Sequence, residues 1–123
     1  MADTQTVHIN RSGGIPEIEI QFGDANIGVC RLYRWDSNQR SVPLGGAPGS
    51  VSLGLPAGEL GGKTVGYEAL IQSSESGSQL PYSMLLLVRQ DGEIVPQGSL
   101  WEHGLLNEDG AKSVIGFLTF QLS

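Results

Sequence analysis

Apolar residues along this chain recur at every second position, and no segment sustains the three-to-four spacing of a helix. A period of two is what a strand with one buried face requires, because successive side chains point to opposite sides of a sheet. Val7 and Ile9 alternate with Thr6, His8 and Asn10, and Ile18, Ile20 and Phe22 alternate with Glu17, Glu19 and Gln21. Residues 27–35 set Cys30 and Leu32 on one face and Val29, Arg31, Tyr33 and Trp35 on the other. Shorter strands are predicted at 41–44 and 50–55. Over 64–72, Val65, Tyr67, Ala69 and Ile71 oppose Thr64, Gly66, Glu68, Leu70 and Gln72.

Residues 82–90 break the alternation. Tyr82, Met84, Leu86 and Val88 are apolar on one face, and Leu85 and Leu87 on the other. Such a strand is covered on both sides, or its outer side meets another subunit. Asp91-Gly92 between Val88 and Ile94 is a strong hairpin signal, with a short return at Ile94-Val95 that meets Pro96. The tail, 112–122, places Val114, Leu118, Phe120 and Leu122 on one face and Ile115 and Phe117 on the other. Gly13-Gly14, residues 23–26, residues 36–39 and Gly61-Gly62 read as turns, and residues 73–81 as a long polar loop.

Eight or nine strands therefore fill a single domain over residues 1–123. The expected fold is all-β, a two-layer antiparallel β-sandwich that is Ig-like or C2-like in general appearance. A small barrel is the alternative. Pro43 and Pro96 favour the sandwich, since proline cannot donate to a ladder and belongs on strand edges or bulges, which a closed barrel lacks. Residues 35–43 and 88–96 both read strand, polar turn, then Val-Pro, as two similar hairpins would.

Composition supports the β reading: 18 glycines and only 16% charged residues, against about 25% charged in ordinary domains. The net charge of -6 and the absence of any basic cluster argue against nucleic acid and anionic membrane surfaces as partners. No stretch is long and apolar enough for membrane insertion. The one cysteine, Cys30, excludes an intramolecular disulfide, and the opening residues lack the charged and apolar regions of a secretory leader. The expectation is a cytoplasmic protein, with leaderless export compatible.

No catalytic constellation is legible, and the chain reads as no enzyme. His8 lies on the polar face of the first strand, His103 falls in a loop after Trp101, and Cys30 sits mid-strand as a buried thiol would. Glu17 and Glu19 share one strand face, which a solvated outer surface explains as well as a hydrolytic carboxylate pair does. Asp24-x-Asn26 and Asp36-x-Asn38 place oxygen ligands in loops, and calcium is the one cofactor they suggest; ordinary turns prefer the same residues. Candidate ligand contacts are Tyr33, Trp35, Trp101, Glu102 and His103, because Tyr and Trp present an apolar ring with a polar handle. Leu85, Leu87, Ile115 and Phe117 form a candidate homodimer surface, provided their two strands pair.

These features lead to a non-enzymatic binding or assembly module that recognises a protein partner or its own copies. A lectin-type glycan-binding protein, with or without calcium, is the alternative, and a small hydrolase the third.

Overall fold

The computed structural model describes residues 3–23, 26–35, 41–47, 49–73 and 80–123. Among the described residues there are nine strands: β1 (Asp3–Ile9), β2 (Glu17–Phe22), β3 (Asn26–Trp35), β4 (Ser41–Ala47), β5 (Gly49–Ser52), β6 (Thr64–Ser73), β7 (Pro81–Gln90), β8 (Glu93–Leu105) and β9 (Ala111–Leu122). They form a five-stranded sheet in the order β1-β9-β6-β3-β4 and a four-stranded sheet in the order β5-β2-β7-β8. The expected sandwich is what the two sheets make.

Each alternating strand turns its apolar set inward. Val7 and Ile9 of β1, Cys30 and Leu32 of β3, Val65, Tyr67, Ala69 and Ile71 of β6 and Leu118 of β9 meet Ile18 and Ile20 of β2 and Met84, Leu86 and Val88 of β7, all buried in one core. At one end the segment after β5 inserts Leu53 and Leu60, both fully buried, around a short 3-10 turn at Ala57–Glu59. Arg34 lies on the inward face of β3 there, and its Nη1 donates to the Leu53 carbonyl at 2.8 Å. A guanidinium tolerates this position because its donors are met and its aliphatic stem packs among apolar neighbours.

Two features depart from the expected pattern. All strand pairs are antiparallel except β1 with β9, which run parallel from Asp3↔Gly116 to Ile9↔Leu122. A parallel pair needs a long connection, and here the whole intervening chain provides it. The other departure is β8, which continues far beyond Val95 to Leu105. Its register against β7 shifts between Leu87 and Arg89, and Gln97 in that stretch has φ 59. Gly98 follows, where an added Cβ would lie 3.0 Å from the Val88 carbonyl oxygen. This bulge accommodates Pro96 and lets the strand resume, so His103 lies in a strand and not in a loop.

The prolines mark edges as expected. β4, with Pro43, ends one sheet and β8, with Pro96, ends the other, and the β3–β4 register also shifts beside Pro43. The two Val-Pro hairpins, β3–β4 and β7–β8, occupy one edge of each sheet. Asp91 and Gly92, with φ 55 and 81, form the two-residue turn of the second.

Candidate functional site

The outer face of the five-stranded sheet is the most unusual surface of the molecule. An outward sheet face ordinarily alternates with the core and is polar. Here Ile27, Val29, Leu70 and Ile115 stand outward with 61%, 58%, 44% and 50% of their surface exposed. Register sets the rows: Val29 beside Leu70, Arg31 beside Glu68, Tyr33 beside Gly66 and Trp35 beside Thr64 on β3 and β6, then Phe117 beside Gly66 and Ile115 beside Glu68 on β9 and β6.

Gly66 turns those rows into relief. Without a side chain on the central strand, the Trp35 ring of β3 crosses β6 to reach Phe117 of β9 and bounds a trench beside Tyr33 and Ile115. Trp35 leans across the glycine, where an added Cβ would meet its Cζ3 at 2.3 Å. The Trp35 ring lies 5.7 Å from that of Phe117 and 6.1 Å from that of Tyr33. The resulting cavity has a volume of about 350 Å³ and is lined by Tyr33, Trp35, Gly66, Tyr67, Glu68, Ile115 and Phe117. At its end Arg31 Nη2 donates to Glu68 Oε1 at 3.2 Å, an exposed ion pair. Those two are the only charged side chains at the described outward positions of β3, β6 and β9.

The structure divides the expected site residues between two faces. Tyr33 and Trp35 line the trench, together with Ile115 and Phe117, for which the expected companions were Leu85 and Leu87. That shared patch does not exist. β7 and β9 belong to different sheets, so Leu85 and Leu87 point out on the opposite side of the sandwich. Leu87 is also buried within its own chain, 6% exposed. β7 lies inside its sheet, between β2 and β8, and Glu19 of β2, the register partner of Leu87, is ion-paired with Arg89. No second subunit is needed to cover it.

Trp101 and His103 stand on this second face. The Trp101 ring is 65% exposed and stacks on His103 with centroids 4.1 Å apart and planes at 25°. Cavities of about 410 and 480 Å³ lie on its two sides, the first lined by Thr4, Gln5 and Glu102 among others, the second by Gln21, Ser83 and Leu85. Glu102 is half-buried. Burial and then the Glu102 charge raise the Tyr82 pKa above its ordinary value.

Of the four residues considered for a cation, Asp24, Asp36 and Asn38 lie outside the described residues. Asn26 bridges the sheets: its Nδ2 donates to the Pro81 carbonyl at 3.2 Å, and its Oδ1 accepts from the Ser83 amide at 2.9 Å. Among the described residues no group of three His, Cys, Asp or Glu could hold a metal. Residues 107–111 close a turn on themselves, with Asp109 Oδ1 accepting from the Ala111 amide at 3.1 Å. Cys30 is buried, and burial raises its thiol pKa to about 11.

Arg31, Glu68, Gly66, Val29, Leu70 and Ile27 are not among the contacts expected from sequence. The available signal is apolar residues on strand faces that should be polar. Which strands lie side by side, and therefore that these residues form one surface, follows from the topology alone.

The fold and this face define a class: a nine-stranded, two-sheet β-sandwich with an aromatic trench on its larger sheet. No family model and no curated protein matches the chain. Among solved structures it is similar to a domain of unknown function, DUF4425, from Bacteroides vulgatus, at 10% identity and TM-score 0.45 over 85% of this chain and 93% of that one. A DUF4425 family protein from Bacteroides ovatus is similar at 11% identity and TM-score 0.44, over 85% and 96% of the two chains.

Among the described residues no helix is long and apolar enough to cross a membrane.

Proposed function

We propose that this protein is a non-catalytic binding module that contacts another polypeptide through the outer face of its five-stranded sheet, in the cytoplasm. The observation that carries the reading is the set of outward apolar residues, Ile27, Val29, Leu70 and Ile115, around the Tyr33–Trp35–Phe117 trench. Contiguous exposed apolar surface beyond a few hundred Å² is uncommon on monomers and marks contact sites. Five strands spaced about 4.8 Å apart, with residues rising about 3.3 Å, span roughly 20 Å by 30 Å. That footprint is of the order of the about 800 Å² per partner that stable complexes use. One ion pair, Arg31–Glu68, is the charge among the described outward positions of β3, β6 and β9, and few charges with aromatic anchors are what interface cores show.

A photo-crosslinking residue at Val29, compared with one at Gln21 on the opposite face, tests this. Polypeptide adducts are expected from position 29, lost when Ile115→Glu is added, and absent from position 21. No adduct from position 29, or equal adducts from both, contradicts the reading.

Trp101 supports a second reading, glycan binding on the other face. A tryptophan this exposed, held by a stacked imidazole and flanked by polar side chains, suits stacking against the apolar side of a sugar ring. Tryptophan fluorescence titrated with simple sugars, with Trp101→Ala as control, is expected to shift only in the protein that retains Trp101; silence across the panel removes this reading.

A further inference from the structure

The occupant of the trench is a second copy of this chain: we infer that two molecules pack their five-stranded sheets face to face about a two-fold axis that runs along the strands, midway between β3 and β6. This inference rests on the proposed contact face and specifies its partner.

Arg31 and Glu68 are directly opposed on β3 and β6. A two-fold axis between those strands lays β3 of each copy over β6 of the other at equal height along the strands. Arg31 of one molecule then faces Glu68 of the second copy, and Glu68 faces the second copy's Arg31. The same operation lays Tyr33 over the second copy's Gly66, because those two residues are also register partners. The Tyr33 ring thus meets the Trp35 ring that lies across the second copy's Gly66, aromatic against aromatic. Val29 likewise covers the second copy's Leu70, apolar against apolar. An isologous interface must be complementary to itself, and here cation faces anion in one row and apolar or aromatic side chains face one another in the other two.

Charge adds an independent reason. The chain carries -6 overall, so most ways of joining two copies bring like charges together. The described outward positions of β3, β6 and β9 carry one Arg and one Glu, summing to zero. Stacking them adds no net charge at the contact.

Sedimentation equilibrium on the full chain and two charge reversals tests the inference. Both side chains are exposed, 67% for Arg31 and 48% for Glu68, and circular dichroism with thermal unfolding checks that each variant folds as the wild type does. The wild type is expected to approach twice its 13.1 kDa mass at concentrations of about 100 micromolar or above. Arg31→Glu sets carboxylate against carboxylate in both symmetric contacts, and Glu68→Arg sets guanidinium against guanidinium. Each variant alone is expected to dimerise at least about tenfold more weakly. Mixed in equal amounts, the two variants are expected to form a heterodimer. The carboxylates at positions 31 and 68 of one chain then face the guanidinium groups at positions 68 and 31 of the other. The pair within each chain stays broken in that mixture, so only contact between copies restores association. A wild type that stays monomeric overturns the inference, as does a dimer indifferent to both reversals or a mixture that fails to recover. A monomer that still yields adducts from position 29 with a different polypeptide overturns self-association and leaves the contact face standing.

Discussion

Single residues show how strictly polar groups are handled inside this sandwich. Gln90 points into it from the end of β7 and is 7% exposed. Its Oε1 accepts from the Asn10 amide at 2.8 Å, and its Nε2 donates to the carbonyls of Asn10 and Gly14 at 2.8 and 3.0 Å. The link between β1 and β2 is thereby tied to the β7–β8 hairpin, and the buried amide is satisfied. Cys30 has a simpler role as a small apolar side chain. Its folded pKa, raised by burial from about 9 to about 11, ties stability to pH. Above pH 9 the unfolded chain releases the thiol proton while the folded chain keeps it. Stability therefore falls as pH rises from about 9 to about 11, by roughly 2–3 kcal/mol. Urea unfolding of wild type and Cys30→Ala across that window should show the extra decline in the wild type alone; equal slopes in the two proteins rule the linkage out. The inward position of Cys30 is legible from alternation with Leu32, whereas the contacts of Gln90 are not, because they depend on a loop 80 residues away.

Elements are legible where pattern and punctuation agree. Period-two alternation locates β2, β3, β6 and β9, and Asp91-Gly92 locates the second hairpin, whose two positive φ angles only such residues adopt readily. β8 reads too short from sequence because Pro96 looks like an end. A positive φ at Gln97 and the missing side chain of Gly98 instead make a bulge, after which pairing resumes from Ser99 opposite Leu87. Bulges on edge strands cost few ladder bonds, and the local sequence does not distinguish them from a stop. The same ambiguity puts His103 in a loop and hides its stack on Trp101. The doubly apolar β7 is legible as a strand, but it takes its cover from its own sheet.

At the scale of the molecule, alternation tells which residues share a face of one strand but not which strands are neighbours. Sequence therefore joins Ile115 and Phe117 to Leu85 and Leu87 across what proves to be the full thickness of the sandwich. Their neighbours are Gly66 and Glu68 on β6, and beyond them Tyr33 and Arg31 on β3. Once the sheet order is known, scattered outward apolar residues become one surface with a trench at its centre. The outer face of the smaller sheet carries Trp101 and Leu105, 65% and 56% exposed, beside Leu85 and the Glu19–Arg89 ion pair. The molecule thus has one face with an aromatic cluster at its centre, proposed as the contact face, and another on which Trp101 stacks on His103.

Radical footprinting read by mass spectrometry, on dilute and on concentrated protein, tests that division most directly. It reports side-chain exposure on both faces in one experiment. Concentration is expected to protect Ile27, Val29, Leu70 and Ile115 while Ile94 and Trp101 stay as reactive as before. Protection of Trp101 with the five-stranded face unchanged would contradict the account and move the contact to the other side of the sandwich.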